Sequence, residues 1–183
     1  MPAHFTNLDA LIKREDFEVQ ADASQTPSQV ANTLSVTALE KGSLWFEVLR
    51  KPDFQRETAN WEPDKIADLI QGFLEGDLIP SVILWRSPRS GNIFVIDGAH
   101  RLSAFMAWVL NDYGDGEISR PFFANFIQEE QAKIAERTRQ MIKDRVGSYT
   151  ELKVALQHPE NATPDRLRLA KNLGAFALSL QWV

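Results

Sequence analysis

Hydrophobic spacing divides the chain into segments of two periods. Ile66, Leu69, Ile70, Phe73 and Leu74 recur at the i, i+3, i+4, i+7, i+8 positions of one helix face, with Pro63 in the first turn and Gly76 as the stop. Leu102, Phe105, Met106, Val109 and Leu110 repeat the stripe and predict a second amphipathic helix. Between them, residues 81–86 and 92–96 are short apolar runs separated by the turn-forming cluster Ser87-Pro88-Arg89-Ser90-Gly91, which predicts a hairpin or adjacent strands. The second run leads straight into Asp97-Gly98, giving a strand–turn–helix unit.

The flanks are less regular. Residues 6–17 predict a short helix through Leu8, Leu11 and Ile12, and the small, polar stretch 21–32, with Pro27 near its middle, reads as a linker or arm. Residues 34–49 are ambiguous between helix and strand, although Leu44-Trp45-Phe46-Glu47-Val48-Leu49 is apolar enough to sit in a core. A loop over 50–60 carries Phe54-Gln55-Arg56. Residues 121–127 predict a further strand, and 128–145 a polar helix with Lys133, Arg137, Arg139, Lys143 and Arg145. Ser148 and Glu151 form a capping box ahead of Leu152, Ala155 and Leu156. Thr163-Pro164 starts another helix that Gly174 terminates, and 175–183 is strand-like. The apolar end at Trp182 and Val183 suggests continuation into a longer protein. The predicted class is α+β, divided into an arm over 1–33, a core over 34–127 and a helical extension ending in a strand over 128–183.

Composition narrows the chemistry. The 183 residues suffice for one substantial core, and 44% hydrophobic with 25% charged content is ordinary for a globular domain. No apolar run has the length to span a bilayer, and Met1 to Thr6 lacks the start of a signal peptide, so the reading is cytoplasmic, without a membrane partner. A net charge of −5 argues against a domain that coats nucleic acid. The absence of cysteine excludes thiol nucleophiles, iron–sulfur clusters and cysteine zinc sites. His4, His100 and His158 show no ligand spacing, and no Walker-type loop or nucleophile elbow is present.

What remains is the turn. A glycine between strand and helix lets the backbone approach a ligand, and the first helical N–H groups with the positive dipole end attract an anion. Arg101 can grip phosphate oxygens through two N–H groups, and His100 can add a hydrogen bond. Asp97 reads either as a helix N-cap or as a carboxylate for a divalent metal or a ribose hydroxyl. Arg56 fits a second phosphate clamp, Gln55 a base or ribose contact and Phe54 a buried anchor; the plainer alternative is a loop pinned by an aromatic. Trp61, Trp85 and Trp108 read as core or interface residues outside the site. The basic helix reads first as a solvated face and second as a contact to nucleic acid.

Asp97-Gly98-Ala99-His100-Arg101-Leu102-Ser103-Ala104, preceded by Phe54-Gln55-Arg56, Trp61, a helix and Ile79-Pro80, resembles the N-terminal domain family of GmrSD-type restriction endonucleases and its DGQHR-type relatives, over residues 44–110. The resemblance implies a ParB/sulfiredoxin-like fold with a mixed sheet, and an NTP-binding and hydrolysing module of a DNA-restriction or anti-phage system. Asp97, Gly98, His100 and Arg101 match the motif at the nucleotide phosphates. Ala99 stands where the family usually has glutamine, so binding is the firmer expectation and hydrolysis the weaker. The implied nucleotide-binding set is Gln55, Arg56, Gly98, Ala99, His100 and Arg101, with Asp97, His100 and Arg101 as catalytic candidates. NTP with Mg2+ is the implied cofactor, the ion held mainly through phosphates with Asp97 as the protein candidate, and DNA is a partner through the basic helix or another domain. Sulfiredoxin chemistry is excluded, because Ala99 replaces the cysteine it needs. Two alternatives stand beside this reading: a nucleotide-switched ParB-like DNA-binding module, and a small-molecule kinase on the same fold.

Overall fold

A computed structural model describes residues 4–17 and 30–183. Six strands among these residues form one mixed sheet: β1 (Arg14–Glu15), β2 (Thr33–Leu34), β3 (Leu49–Pro52), β4 (Val82–Arg86), β5 (Ile93–Asp97) and β6 (Leu178–Trp182), in the order β1-β3-β5-β4-β6-β2. β1, β3 and β5 run parallel, β4 pairs antiparallel with β5 and parallel with β6, and β2 closes the far side antiparallel to β6. The helices are α1 (Leu44–Val48), α2 (Pro63–Glu75), α3 (Ala99–Leu110), α4 (Ser119–Phe122), α5 (Glu129–Arg145), α6 (Tyr149–Gln157) and α7 (Pro164–Ala175). The class is therefore α+β.

The periodic segments form the predicted elements for the predicted reasons. In α2, Ile66, Ile70, Phe73 and Leu74 are buried, Pro63 occupies the first turn, and Gly76 ends the helix at φ 91° with its N–H bonded back to Gly72 and Phe73. The α3 run Leu102–Trp108 is buried on every side, which makes it the central helix. Phe105 is fully enclosed against Phe73, and burial of such a ring stabilises by about 2–3 kcal/mol. α5 and α7 pack on α2, α6 packs on α7, and Val82, Leu84 and Val95 supply the buried side of the sheet. The Ser148 capping box opens α6, as its spacing predicts. Residues 128–183 thus share the sheet and the core with residues 34–127.

Three local expectations are corrected. Residues 6–17 are not a helix: Leu8, Leu11 and Ile12 are buried, but the backbone bonds outward, Thr6 N–H to Trp61 at 2.8 Å, Leu8 N–H to Thr58 at 3.0 Å, and Lys51 N–H to the Lys13 carbonyl at 2.8 Å. A chain whose polar backbone groups are satisfied by a neighbouring loop has none left for i→i+4 bonds. Residues 121–127 are not a strand. Asp112 accepts from the N–H groups of Gly114, Gly116, Ile118 and Ser119 and from the Ser119 hydroxyl, winding the chain into α4, after which Ala124 and Asn125 take left-handed conformations. α7 runs one residue past Gly174. The ambiguous stretch 34–49 contains a 3-10 turn at Val36–Leu39, then α1; Phe46 and Leu49 enter the core while Leu44 is exposed. Of the expected arm over 21–32, residues 21–29 lie outside the described residues.

Candidate functional site

The carboxyl ends of parallel β3 and β5 lie side by side, and the chain leaves β5 through Gly98 into α3. Gly98 has φ 92°, the left-handed region. A Cβ there would stand 3.0 Å from Arg101 Nη2 and 3.2–3.3 Å from Val82 atoms, so conformation and space both call for glycine. The first intrahelical bond joins Leu102 N–H to the Gly98 carbonyl at 2.9 Å. The N–H groups of Ala99, His100 and Arg101 therefore have no intrahelical acceptor.

Asp97 does not cap this helix. No side chain does. Its Oδ2 accepts from Arg101 Nη2 at 2.8 Å, and with 62% of its side chain exposed the carboxylate meets solvent. Arg101 Nη2 also donates to the Ser81 carbonyl at 3.1 Å, whereas its buried Nε has no partner. The guanidinium is thus held across the start of α3 by two oxygens. Ala99 packs its methyl into the core, leaving its backbone N–H as the group it can offer a ligand.

His100 is half-buried and stacks on Trp61, with ring centroids 5.9 Å apart and planes at 22°. Burial, and then the positive charge of Lys51, hold its pKa below the ordinary histidine value, against a smaller opposing hydrogen bond to the Glu57 backbone. The imidazole is therefore neutral at pH 7, with one nitrogen able to accept and the other to donate.

The upstream motif divides. Gln55 reaches the end of β5, its Nε2 donating to the carbonyls of Val95 at 2.7 Å and Ile96 at 2.8 Å, and its buried Oε1 has no partner. Two acceptors on one nitrogen fix which way the amide faces. Arg56 is exposed, with no ion pair among the described residues. Phe54 is not the buried anchor expected from its size: it is 71% exposed and touches Phe17 edge-on. Its place in the tight turn closed by Gln55 N–H and the Pro52 carbonyl directs it outward while Gln55 turns in.

Three groups stand beside the site, two of which, Lys51 and Asp9, have no local sequence signal. Lys51 on β3 is fully buried and donates to the Asp9 carboxylate, and at 3.3 Å to the Thr58 hydroxyl. Asp9 accepts in addition from the Thr58 N–H at 3.0 Å and from Arg14 at 3.2 Å. Burial alone would raise the Asp9 pKa, but the bonds from Lys51 and Thr58, with the charges of Lys51 and Arg14, hold it below the usual carboxylate range. Burial lowers the Lys51 pKa, and Asp9 offsets only part of that. The third group is Trp61, which packs against the core as expected and in addition stacks on His100. Trp85 packs on Phe94, and Trp108 is buried with its N–H on the Gly147 carbonyl.

The wider surface offers less. Clefts of about 520 Å3 between α6 and α7, and about 320 Å3 beside Trp85 and Phe94, are not lined by the turn, where Gly98 and Ala99 are buried, His100 and Arg101 are half-buried and Asp97 is exposed. Four of the five α5 cations pair with acids, Lys133 with Glu129, Arg139 with Asp115, Lys143 with Glu151, and Arg145 with Asp64 and Asp68, while Arg137 is exposed with no ion pair among the described residues. The outer face of that helix is largely ion-paired, while Ala135, Thr138 and Ile142 are buried on its inner face. Among the described residues no group of three or more acidic or histidine side chains could hold a metal, and no helix is long and apolar enough to cross a membrane.

No curated protein and no solved structure matches the chain. The profile described as "GmrSD restriction endonuclease, N-terminal domain" matches residues 37–178, from the 3-10 turn before α1 into β6, and so takes in the turn, the Gln55 loop and the helices behind them. The chain belongs to the GmrSD restriction endonuclease N-terminal domain family.

Proposed function

We propose that this chain is a nucleotide-binding, NTP-hydrolysing module of a DNA-restriction or anti-phage system, built on a ParB/sulfiredoxin-like fold, with the triphosphate at the α3 turn. The observation that carries the reading is the turn itself: left-handed Gly98 leaves the N–H groups of Ala99, His100 and Arg101 without intrahelical acceptors, beside a guanidinium already lying across the helix start. Phosphate oxygens would accept from these N–H groups and compete with Asp97 for Arg101, exchanging an exposed ion pair for a bidentate clamp. Asp97, with one carboxylate oxygen outside that ion pair, suits a single contact to a phosphate-borne Mg2+, which would shield phosphate charge. His100, neutral at pH 7, can orient or deprotonate a water. Gln55 Oε1 offers an acceptor to a ribose hydroxyl or a base amine. The paired charges of α5 favour DNA contact through another domain of the effector over contact through this helix.

A calorimetric panel of the four NTPs with Mg2+ tests this. Wild type should bind at least one, and Arg101→Ala should lose about tenfold or more, equivalent to about 1.4 kcal/mol. Binding by neither protein, or equal binding by both, overturns the site. Phosphate release from the bound nucleotide then decides whether the module hydrolyses as well as binds.

A further inference from the structure

The family match begins at residue 37, yet the loop that carries Gln55 is shaped from outside that span. Asp53, Phe54, Arg56 and Glu57 are all exposed, so the loop has little hydrophobic anchor of its own. A segment with few buried apolar contacts opens at low free-energy cost unless something else ties it. Besides the Gln55 side chain on β5, the tie is the N-terminal segment 4–17, itself anchored by buried Leu8, Leu11 and Ile12. Arg14 donates through Nη1 to the carbonyls of Asp53 at 3.1 Å and Gln55 at 2.7 Å, and through Nη2 to Asp9. Asp9 holds Thr58 and Lys51, Leu8 N–H holds the Thr58 carbonyl, and Thr6 N–H holds the Trp61 carbonyl. The contacts follow the loop in order, Asp53, Gln55, Thr58, Trp61, and Trp61 is the ring against which His100 stacks.

We infer that the N-terminal segment is an integral part of the nucleotide site, with Arg14 and Asp9 as positioning residues that set the Gln55 amide and the Trp61–His100 stack. This rests on the nucleotide-binding reading for its functional half; its structural half stands without it. Arg14 is the member to probe, because its side chain is 28% exposed and the Asp9–Lys51 pair survives its loss. A fork of several N–H donors reaches two carbonyls and a carboxylate together, which neither an amide nor a lysine ammonium can do from that position.

The full chain carrying Arg14→Gln is compared with wild type by amide hydrogen exchange, by the side-chain amide NMR signals of Gln55, and by NTP affinity. Expected are faster exchange over residues 53–58 with α5, α6 and α7 unchanged, displaced Gln55 signals, and NTP affinity about tenfold weaker, the size of one preorganised side chain lost. Should Arg14→Gln fail to fold, Arg14→Lys keeps the charge beside Asp9 and is expected to give the same pattern. Unchanged exchange and unchanged Gln55 signals overturn the inference whatever the nucleotide result. A loosened loop with undiminished affinity in a protein that does bind NTP overturns its functional half. If wild type binds no NTP, the proposed function fails, and the exchange and Gln55 measurements still decide the structural half.

Discussion

Asp97 and Asp112 bracket α3, each is followed within two residues by glycine, and their surroundings differ completely. Asp112 is 1% exposed and takes five hydrogen bonds, four from backbone N–H groups and one from Ser119. Its acceptor capacity is saturated, and what it accomplishes is to wind residues 114–119 into a fixed shape. Asp97 is largely exposed, caps nothing, and has one listener, Arg101. Around it, three helical N–H groups and the Arg101 Nε have no partner among the described residues. Polar groups satisfied from within stabilise a fold, whereas polar groups left without partners are available to a ligand that reaches them.

Substitution should separate the two ends of α3. Asp112→Ala leaves several buried N–H donors orphaned and should cost about 4 kcal/mol in chemical denaturation, while the same change at Asp97 should cost less than about 1 kcal/mol. Comparable losses would erase the distinction. Next in size is Gly98→Ala, which forces a left-handed alanine against Val82 and Arg101 and should destabilise by about 2 kcal/mol while weakening NTP binding; a neutral result would show that the turn relaxes freely. The smallest effect concerns pH. With the His100 pKa below its unfolded value of about 6.5, the unfolded chain binds the proton more readily, so this residue's contribution to stability is full above about pH 6.5 and is lost as pH falls through the folded pKa. An NMR titration placing the His100 midpoint at or above 6.5 would contradict its burial beside Lys51.

The comparison also shows which parts of the molecule were legible in the sequence. α2, α3 and α5, the β4–β5 pair and the Ser148 cap depend on spacing within a dozen residues, and that spacing is visible in one sequence. Asp97 to Arg101 are consecutive, so their proximity required no fold. Asp9, Lys51 and Trp61 meet at the site through pairings between the N-terminal segment and the 51–61 loop, and no periodicity encodes those. Leu8, Leu11 and Ile12 marked burial correctly but not conformation, because helical spacing over so short a segment also fits a folded-back chain held by its neighbours. At 121–127 the aromatic residues suggested a strand, but the donors collected by Asp112, several residues upstream, determine the path.

The position of β6 has a consequence for how the molecule is made. β6, the last of the six described strands, lies inside the sheet, between β4 and β2, so ribosomal synthesis delivers it after both neighbours. Until it arrives, β4 exposes a row of unpaired backbone groups beside apolar Val82 and Leu84, and β2 has no mate. Such an edge invites pairing with another nascent chain. Folding yield should therefore be governed less by the α3 turn than by how quickly residues 178–182 insert, and chaperone dependence is the physiological form that vulnerability would take.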